Sequence, residues 1–465
     1  MNRTISLLSL IAATTCVVAC GDDENGGDGG NTGGASSGGA SSGGSAGDDG
    51  SGGSGNDSGS GSGGRMNSGE CDLSRGDKEE AVIPQNPDMT LTSDKVWLLD
   101  GLTYVEEGST LTIEPCTRIE GQPEGANGNS VLVVSRGAKI IAAGEPDAPI
   151  LFTSWAEEGE RRPGDWGGIV ILGRAPNNQG SVNIEGLDPD PKYQHGGDDP
   201  DDDSGVIKYV RIEFPGVEIA PDNEINGITF GSVGRGTEVH HVMVSNALDD
   251  AFEWFGGTVN AHHLIAHNAD DDMFDADQGY NGEIHTLFGR LTRTDVDSRD
   301  PNGWECDNNS SNPDLEPVTN VTSSKVTLCG PGEGLATTSN GAVFRRGVTG
   351  TFTDQVFLGW HNGVSLRDPA GTAEEPRVLL TDSTFFENHV NVIGTVHDSS
   401  DPPLDPVEWF EFEERGNEVP DEPPFELSDC LAADGPGSAV TGSGLGAFKD
   451  EADWMQGLWV DWSVD

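Results

Sequence analysis

Residues 240–275 read HHVMVSNALDDAFEWFGGTVNAHHLIAHNADDDMFD, and they contain one pattern twice, 22 residues apart. His240-His241-Val242-Met243-Val244-Ser245-Asn246-Ala247 aligns without gaps on His262-His263-Leu264-Ile265-Ala266-His267-Asn268-Ala269, and Asp249-Asp250-Ala251-Phe252-Glu253 on Asp271-Asp272-Met273-Phe274-Asp275. A fixed period of this length marks a stacked repeat, in which one unit cannot bury its apolar face alone. A six-residue unit recurs around it: NGITFG from Asn226, DAFEWF from Asp250, DMFDAD from Asp272, NGWECD from Asn302, NGAVFR from Asn340 and NGVSLR from Asn362. An Asn-Gly or Asp-x corner followed by apolar-x-apolar alternation predicts a turn leading into a short strand; a helix would space its apolar residues three and four apart. Successive units lie 24, 22, 30, 38 and 22 residues apart, which suits coils of one length with loops inserted between some of them.

Upstream, STLTIEP at Ser109, SVLVVSR at Ser130, AKIIAAG at Ala138, PILFTS at Pro149, GGIVILG at Gly167 and KYVRIEF at Lys208 extend the series of short strands. A β-sandwich also supplies regular strands, but not near-identical turns at one fixed period. The sequence therefore predicts an all-β chain whose body, 95–400, is a right-handed parallel β-helix (solenoid). End caps are expected at 71–94 and at 401–465, the latter an acidic, Pro-rich loop followed by a Trp-rich terminus with Trp454, Trp459 and Trp462.

The chain has 465 residues, 80 acidic against 25 basic, for a formal net charge of −55, with 34% hydrophobic residues. Such a charge repels phosphate backbones, and no basic stripe is present, so nucleic acid is excluded as a partner class. The first 19 residues combine Arg3, a short apolar run from Ile5 to Ala13 and Val17-Val18-Ala19 ahead of Cys20. The run falls short of the roughly 20 residues that span a bilayer, and the segment resembles a bacterial lipoprotein signal peptide, which implies Cys20 as the lipidated first residue. The segment 21–70 holds 21 Gly and almost no apolar side chain. It cannot bury enough surface to fold and is expected to be a disordered tether reaching about 40 Å. The residues beyond it, 71–465, keep 72 acidic against 23 basic side chains, so the charge belongs to the folded body.

The phrases GDWGGIVILGRAP from Gly164, YVRIEFPGVEI from Tyr209, DDAFEWFGGTVNAHHLIAHNADDDMFDAD from Asp249 and GAFKDEADWMQGLWVDW from Gly446 resemble a family of bacterial surface lipoproteins with a pectin-lyase-like β-helix. The resemblance implies the fold and an exported, lipid-anchored location at the outer membrane or cell surface.

If the apolar members of each unit point inward, the fourth and sixth positions form outward ladders: Thr229 and Gly231, Glu253 and Phe255, Asp275 and Asp277, Glu305 and Asp307, Val343 and Arg345, Ser365 and Arg367. With strands about 4.8 Å apart, Asp275, Asp277, Glu305 and Asp307 fall within roughly 10 Å. Carboxylates that close either hold protons or hold a cation, and with Asp270, Asp271 and Asp272 at the adjoining corner the oxygen-rich set suits calcium. The layout is similar to pectate lyases, where calcium bridges an acidic sugar to the acidic coils and a neighbouring arginine takes the proton; Arg345 or Arg367 would have that role. The leading expectation is surface binding or adhesion with carbohydrate as ligand class. The alternative is a polysaccharide lyase or a glycoside hydrolase working with paired carboxylates of the same patch.

His240, His262 and His285, with His241 and His263 beside them, form a second ladder; imidazoles about 5 Å apart could hold zinc, although solenoids commonly stack like residues. The stretch HGGDDPDDDSG from His195 is oxygen-rich but lacks EF-hand spacing. With Cys16 in the leader and Cys20 lipidated, five cysteines remain, an odd number for an exported domain. Cys306 with Cys329, one coil apart, and Cys71 with Cys116 are the candidate pairs.

Overall fold

The computed structural model describes residues 71–123, 127–220, 223–293, 301–332, 338–367, 374–395 and 404–464. The expectations for the signal peptide, Cys20 and the tether, and part of the Pro-rich loop, lie outside them.

The chain alternates between two parallel sheets. Phe252–Phe255, Asp272–Asp277 and Asn302–Cys306 are neighbours in a ten-stranded sheet, while Ala261–His267, Glu283–Arg290 and Asn320–Cys329, which fall between and after them in sequence, are neighbours in a fifteen-stranded one. Each coil thus contributes to both walls, the architecture of a right-handed parallel β-helix. The 22-residue repeat is the register itself: Phe252 pairs with Phe274 and Val242 with Leu264. The third and fifth positions of every unit face the core, from Ile228 and Phe230 through Phe252 and Trp254, Phe274 and Ala276, Trp304 and Cys306, and Ala342 and Phe344 to Val364 and Leu366. Phe252 stacks on Phe274 at 5.4 Å and Phe230 on Trp254 at 5.7 Å, near-parallel because their strands are in register.

The first two positions of the unit follow from the stacking. Asn362 donates to Asn340, Asn340 to Asn302 and Asn302 to Asp272, a buried amide ladder at 2.9, 2.6 and 2.7 Å that satisfies polar groups at the coil corner. At the second position a Cβ on Gly303, Gly341 or Gly363 would stand 2.5 Å from a carbonyl oxygen of the next coil, so close approach rather than an unusual φ demands glycine there. Ala251 and Met273 occupy the equivalent place in the two acidic coils.

Long strands of the fifteen-stranded sheet bend once per coil. Tyr209, His241, His263, Thr286, Lys325 and Asp354 all have positive φ, between 49° and 59°, and each is skipped by the ladder that pairs the residues on either side. This column divides the sheet into two walls and keeps adjacent residues on the outside.

The helix begins earlier than residue 95, since Glu79–Val82 already pairs in parallel with Lys95–Leu99. A Cys71–Cys116 disulfide and Arg75, which with Arg118 neutralises the fully buried Glu120, fasten this end. At the other end Leu404 and Trp409, the latter on Pro406–Glu411, join the main core, and the Trp409 indole donates to the Val378 carbonyl.

The Trp-rich terminus does not cover that end. Residues 425–464 form a strap along the flank, where Phe425, Val440, Phe448, Trp454 and Trp459 pack on Met243, Ile265, Phe288, Val356 and Leu358. Arg211 binds Asp461 at 2.7 Å, and the strap is bonded covalently through Cys329–Cys430. This corrects the expected Cys306–Cys329 bridge. Cys306 ends a strand of the ten-stranded sheet, is turned into the core and is free, whereas Cys329 ends a strand of the opposite sheet within the strap's cluster. Sequence spacing of one coil brought them to different walls.

Candidate functional site

The outward fourth positions stand in one line: Thr229 pairs with Glu253, Glu253 with Asp275, Asp275 with Glu305, Glu305 with Val343 and Val343 with Ser365. Beside them runs the corner column of first positions, with Asp250 and Asp272 between Asn226 and Asn302. Asp249 and Asp271 precede the corners. Two insertions wall the groove from the side, one bringing Glu185 and the other Glu224 on the Asn223–Ile225 strand. Glu253, Asp275 and Glu305 of the ladder, the four corner residues, Asp249, Asp271, Glu185, Glu224 and Arg345 line a cleft of about 360 Å³ that carries nine carboxylates and one guanidinium.

The five expected metal ligands divide. Asp272, Asp275 and Glu305 face this cleft. Asp277 and Asp307, one pleat further along, lie at a basic corner: Asp307 accepts from Arg345 at 3.2 Å and from Arg346 at 2.6 Å, and Arg345 also pairs with Glu305. Arg367 sits two coils from Glu305, its Nε 3.4 Å from the Ser365 hydroxyl, and is not part of the cleft lining.

Although these side chains point away from the core, most are shielded: Asp250, Glu253, Asp272, Glu305 and Asp307 are each 7% exposed or less. Burial, reinforced by neighbouring carboxylates, pushes Asp249, Asp250, Glu253, Asp272 and Asp275 well above the ordinary carboxylate range. Burial with Asp307 nearby raises Asp277 to about 8, and burial opposed by Arg345 raises Glu305 to about 7. For Arg345 the burial penalty is outweighed by Glu305 and Asp307, so its proton is held more firmly than usual.

Two overlapping carboxylate triads share Asp250: Asp249, Asp250 and Asp271, and Asp250, Asp272 and Asp275, each offering oxygens within 4.8 Å of one another. Oxygens on opposite sides of a calcium ion, at 2.3–2.6 Å each, lie about 5 Å apart. Within the cleft the buried Asn226 Oδ1 and Asp275 Oδ1 have no hydrogen-bond partner, which is costly for shielded acceptors. An oxygen-rich set with unsatisfied buried acceptors fits a hard cation. Asp250, Glu185 and Glu224 were not among the ligands expected from sequence. The doubled Asp at 249–250 and 271–272 carried a signal for the first, but Glu185 and Glu224 arrive on insertions that no periodicity locates.

The stretch from His195 to Gly205 does not converge on a point. His195 is buried with Nδ1 2.9 Å from the Ser232 hydroxyl, Asp201 pairs with Arg235 and Asp203 with Lys139. The five ladder histidines stand on the outer face of the other sheet.

Comparison with protein families finds that residues 82–419 match the family described as pectate-lyase like beta helix domain. No curated protein matches the chain.

Proposed function

The chain belongs to the pectate-lyase-like β-helix domain family, and on that premise we propose that it is a lipid-anchored surface protein whose acidic cleft binds calcium and, through it, an acidic carbohydrate. The observation that carries this reading is the pair of carboxylate triads sharing Asp250, with unpartnered buried oxygens on Asn226 and Asp275 aimed at the same space. Asp249, Asp250, Asp271, Asp272 and Asp275 would hold the ion. When bound, the ion supplies a positive centre that a sugar carboxylate can share. Glu185 and Glu224 repel an unaccompanied anionic chain, so retention of such a ligand depends on the cation. Arg345, at the far side of the cleft, is committed to Glu305 and Asp307. It serves better as a fixed positive wall than as a base, which favours binding over a lyase reaction. Anchorage would come from Cys20 and reach from the 21–70 tether, with the outer membrane or cell surface as location.

One observation favours an enzymatic second reading, a polysaccharide lyase or glycoside hydrolase at Asp275, Asp277, Glu305 and Asp307. Glu305, raised to about 7, lies one pleat from Asp307, which pairs with Arg345 and Arg346, and two neighbouring carboxyls in unlike surroundings are what glycoside hydrolysis uses.

Calorimetry on the EDTA-treated protein tests the cleft. Calcium should bind with measurable heat, Asp250→Asn should remove it, and polygalacturonate should be retained only with calcium present. No heat and no thermal shift at millimolar calcium rejects the reading. Release of unsaturated or reducing sugar ends, lost in Glu305→Gln, would replace it with the enzyme. Cys20→Ser should move the protein from the membrane to the soluble fraction.

A further inference from the structure

The outer face of the fifteen-stranded sheet carries five histidines in two columns. His240, His262 and His285 stack with ring centres 4.9 and 5.1 Å apart, and His241 and His263 at 4.4 Å. Strand alternation alone would send His240 and His241 to opposite faces. The left-handed backbone of His241 and His263 returns each to the side of its neighbour, so the columns meet edge to face. Nδ1 of His240 then lies 2.7 Å from Nδ1 of His241, and Nδ1 of His262 lies 2.6 Å from Nδ1 of His263.

The outer nitrogens fix the tautomers. His240 Nε2 is 3.0 Å from Glu238 Oε1, and His263 Nε2 is 2.9 Å from Glu451 Oε2 on the strap. An ionised carboxylate only accepts, so each of these Nε2 atoms carries a proton and, in a neutral ring, leaves Nδ1 a bare lone pair. The facing Nδ1 of His241 and His262 holds the single bridging proton. The nearby ammonium groups are neutralised, Lys208 by Glu238 and Lys325 by Asp450. Stacking of like residues accounts for the ring spacing. It does not account for two Nδ1-to-Nδ1 contacts with a carboxylate fixed behind one ring of each pair.

We propose that His241, His262 and His263 form a second metal site, for zinc or another divalent transition ion that prefers nitrogen, with Glu451 orienting His263 from behind. One nitrogen from each ring falls within 4.8 Å of the others. A carboxylate behind a ligating imidazole is the common way such a ring is aimed. Three imidazoles leave a fourth position for His240 or water. The ion takes the place of the proton between His262 and His263, and His262 binds as its other neutral tautomer, with that proton moved to its Nε2. Trp459 and Trp454 stand over His241 and His263, each with ring centres 5.2 Å away, so the occupied site would join the strap to the coils beneath it.

The test uses the purified EDTA-treated chain with excess calcium, which saturates oxygen sites, titrated with cobalt(II) and back-titrated with zinc. One equivalent of cobalt should develop the visible bands of a nitrogen-ligated low-symmetry ion, and zinc should bleach them. His262→Gln and His263→Gln should each abolish the bands, Glu451→Gln should weaken binding about 10- to 100-fold, and Asp275→Asn should leave it unchanged. No bands at one equivalent, or bands that persist in folded His262→Gln, overturn the proposal. Failure of calcium binding with cobalt binding intact would reject only the reading of the acidic cleft.

Discussion

On the ten-stranded sheet the outward ladder runs Thr229, Glu253, Asp275, Glu305, whereas on the fifteen-stranded sheet it runs His240, His262, His285 and, past the bend, Met243, Ile265, Phe288. Both ladders are products of the same coil, and in each like residues recur in register, acids from Glu253 to Glu305 and histidines from His240 to His285. Their different chemistry comes from what lies over them. The acidic ladder is walled by Glu185 and Glu224 but left as a cleft, while the second ladder is covered by the strap, which contributes Trp454, Trp459 and Glu451. The inner positions of a β-helix are fixed by packing; the outer ones are free to accumulate a single donor type in register.

The comparison is tested most strongly by pH. In chelator, Asp277 and Glu305, raised to about 8 and about 7, keep protons in the fold that the unfolded chain has lost. Stability from the acidic face therefore falls as pH rises from about 4 toward 8, by about 1.4 kcal/mol per pH unit for each proton retained. His262, lowered to about 4, acts in the opposite sense: its contribution is complete above about 6.5 and is lost as pH falls toward 4. The two faces offset each other below about pH 6.5, and above it only the acidic face contributes. The melting temperature without metal should fall between pH 6.5 and 8, and calcium should flatten that limb; a flat metal-free limb contradicts the burial of the acids.

Next in size is Trp459→Ala. This strap side chain is fully buried against the coils, and its loss should cost about 3–5 kcal/mol in denaturant unfolding with the β signature retained. A loss below 1 kcal/mol would mean that the strap does not stabilise the coils. The smallest effect is expected from Lys449→Ala, which removes the half-exposed pair with Asp354 and should cost about 0–1 kcal/mol, vanishing at high salt. A larger, salt-sensitive loss would make charge rather than packing the strap's attachment.

The register was legible because inward positions obey one spacing. Phe252 and Phe274 are 22 residues apart in sequence and are direct partners in space. The outward set of Asp275, Glu305 and Arg345 followed from the same alternation. What periodicity cannot carry is the path of an insertion or a strap. Glu185 and Glu224 reach the cleft from side loops, and Cys430 meets Cys329 across 101 residues. Nor does alternation reveal shielding: it turns Glu253 and Asp272 outward, and it is the lateral walls and the neighbouring acids that keep both buried.

The strap has a mechanical consequence. A stack in which each repeat touches only its neighbours can unzip from either end, one rung at a time. Here one segment grips five successive rungs through Met243, Ile265, Phe288, Cys329 and Leu358, and is bolted to the fourth by a disulfide. Fraying of any of these rungs must also peel the strap from the others. The central coils consequently open together or not at all, which couples the two outer faces in a single cooperative event.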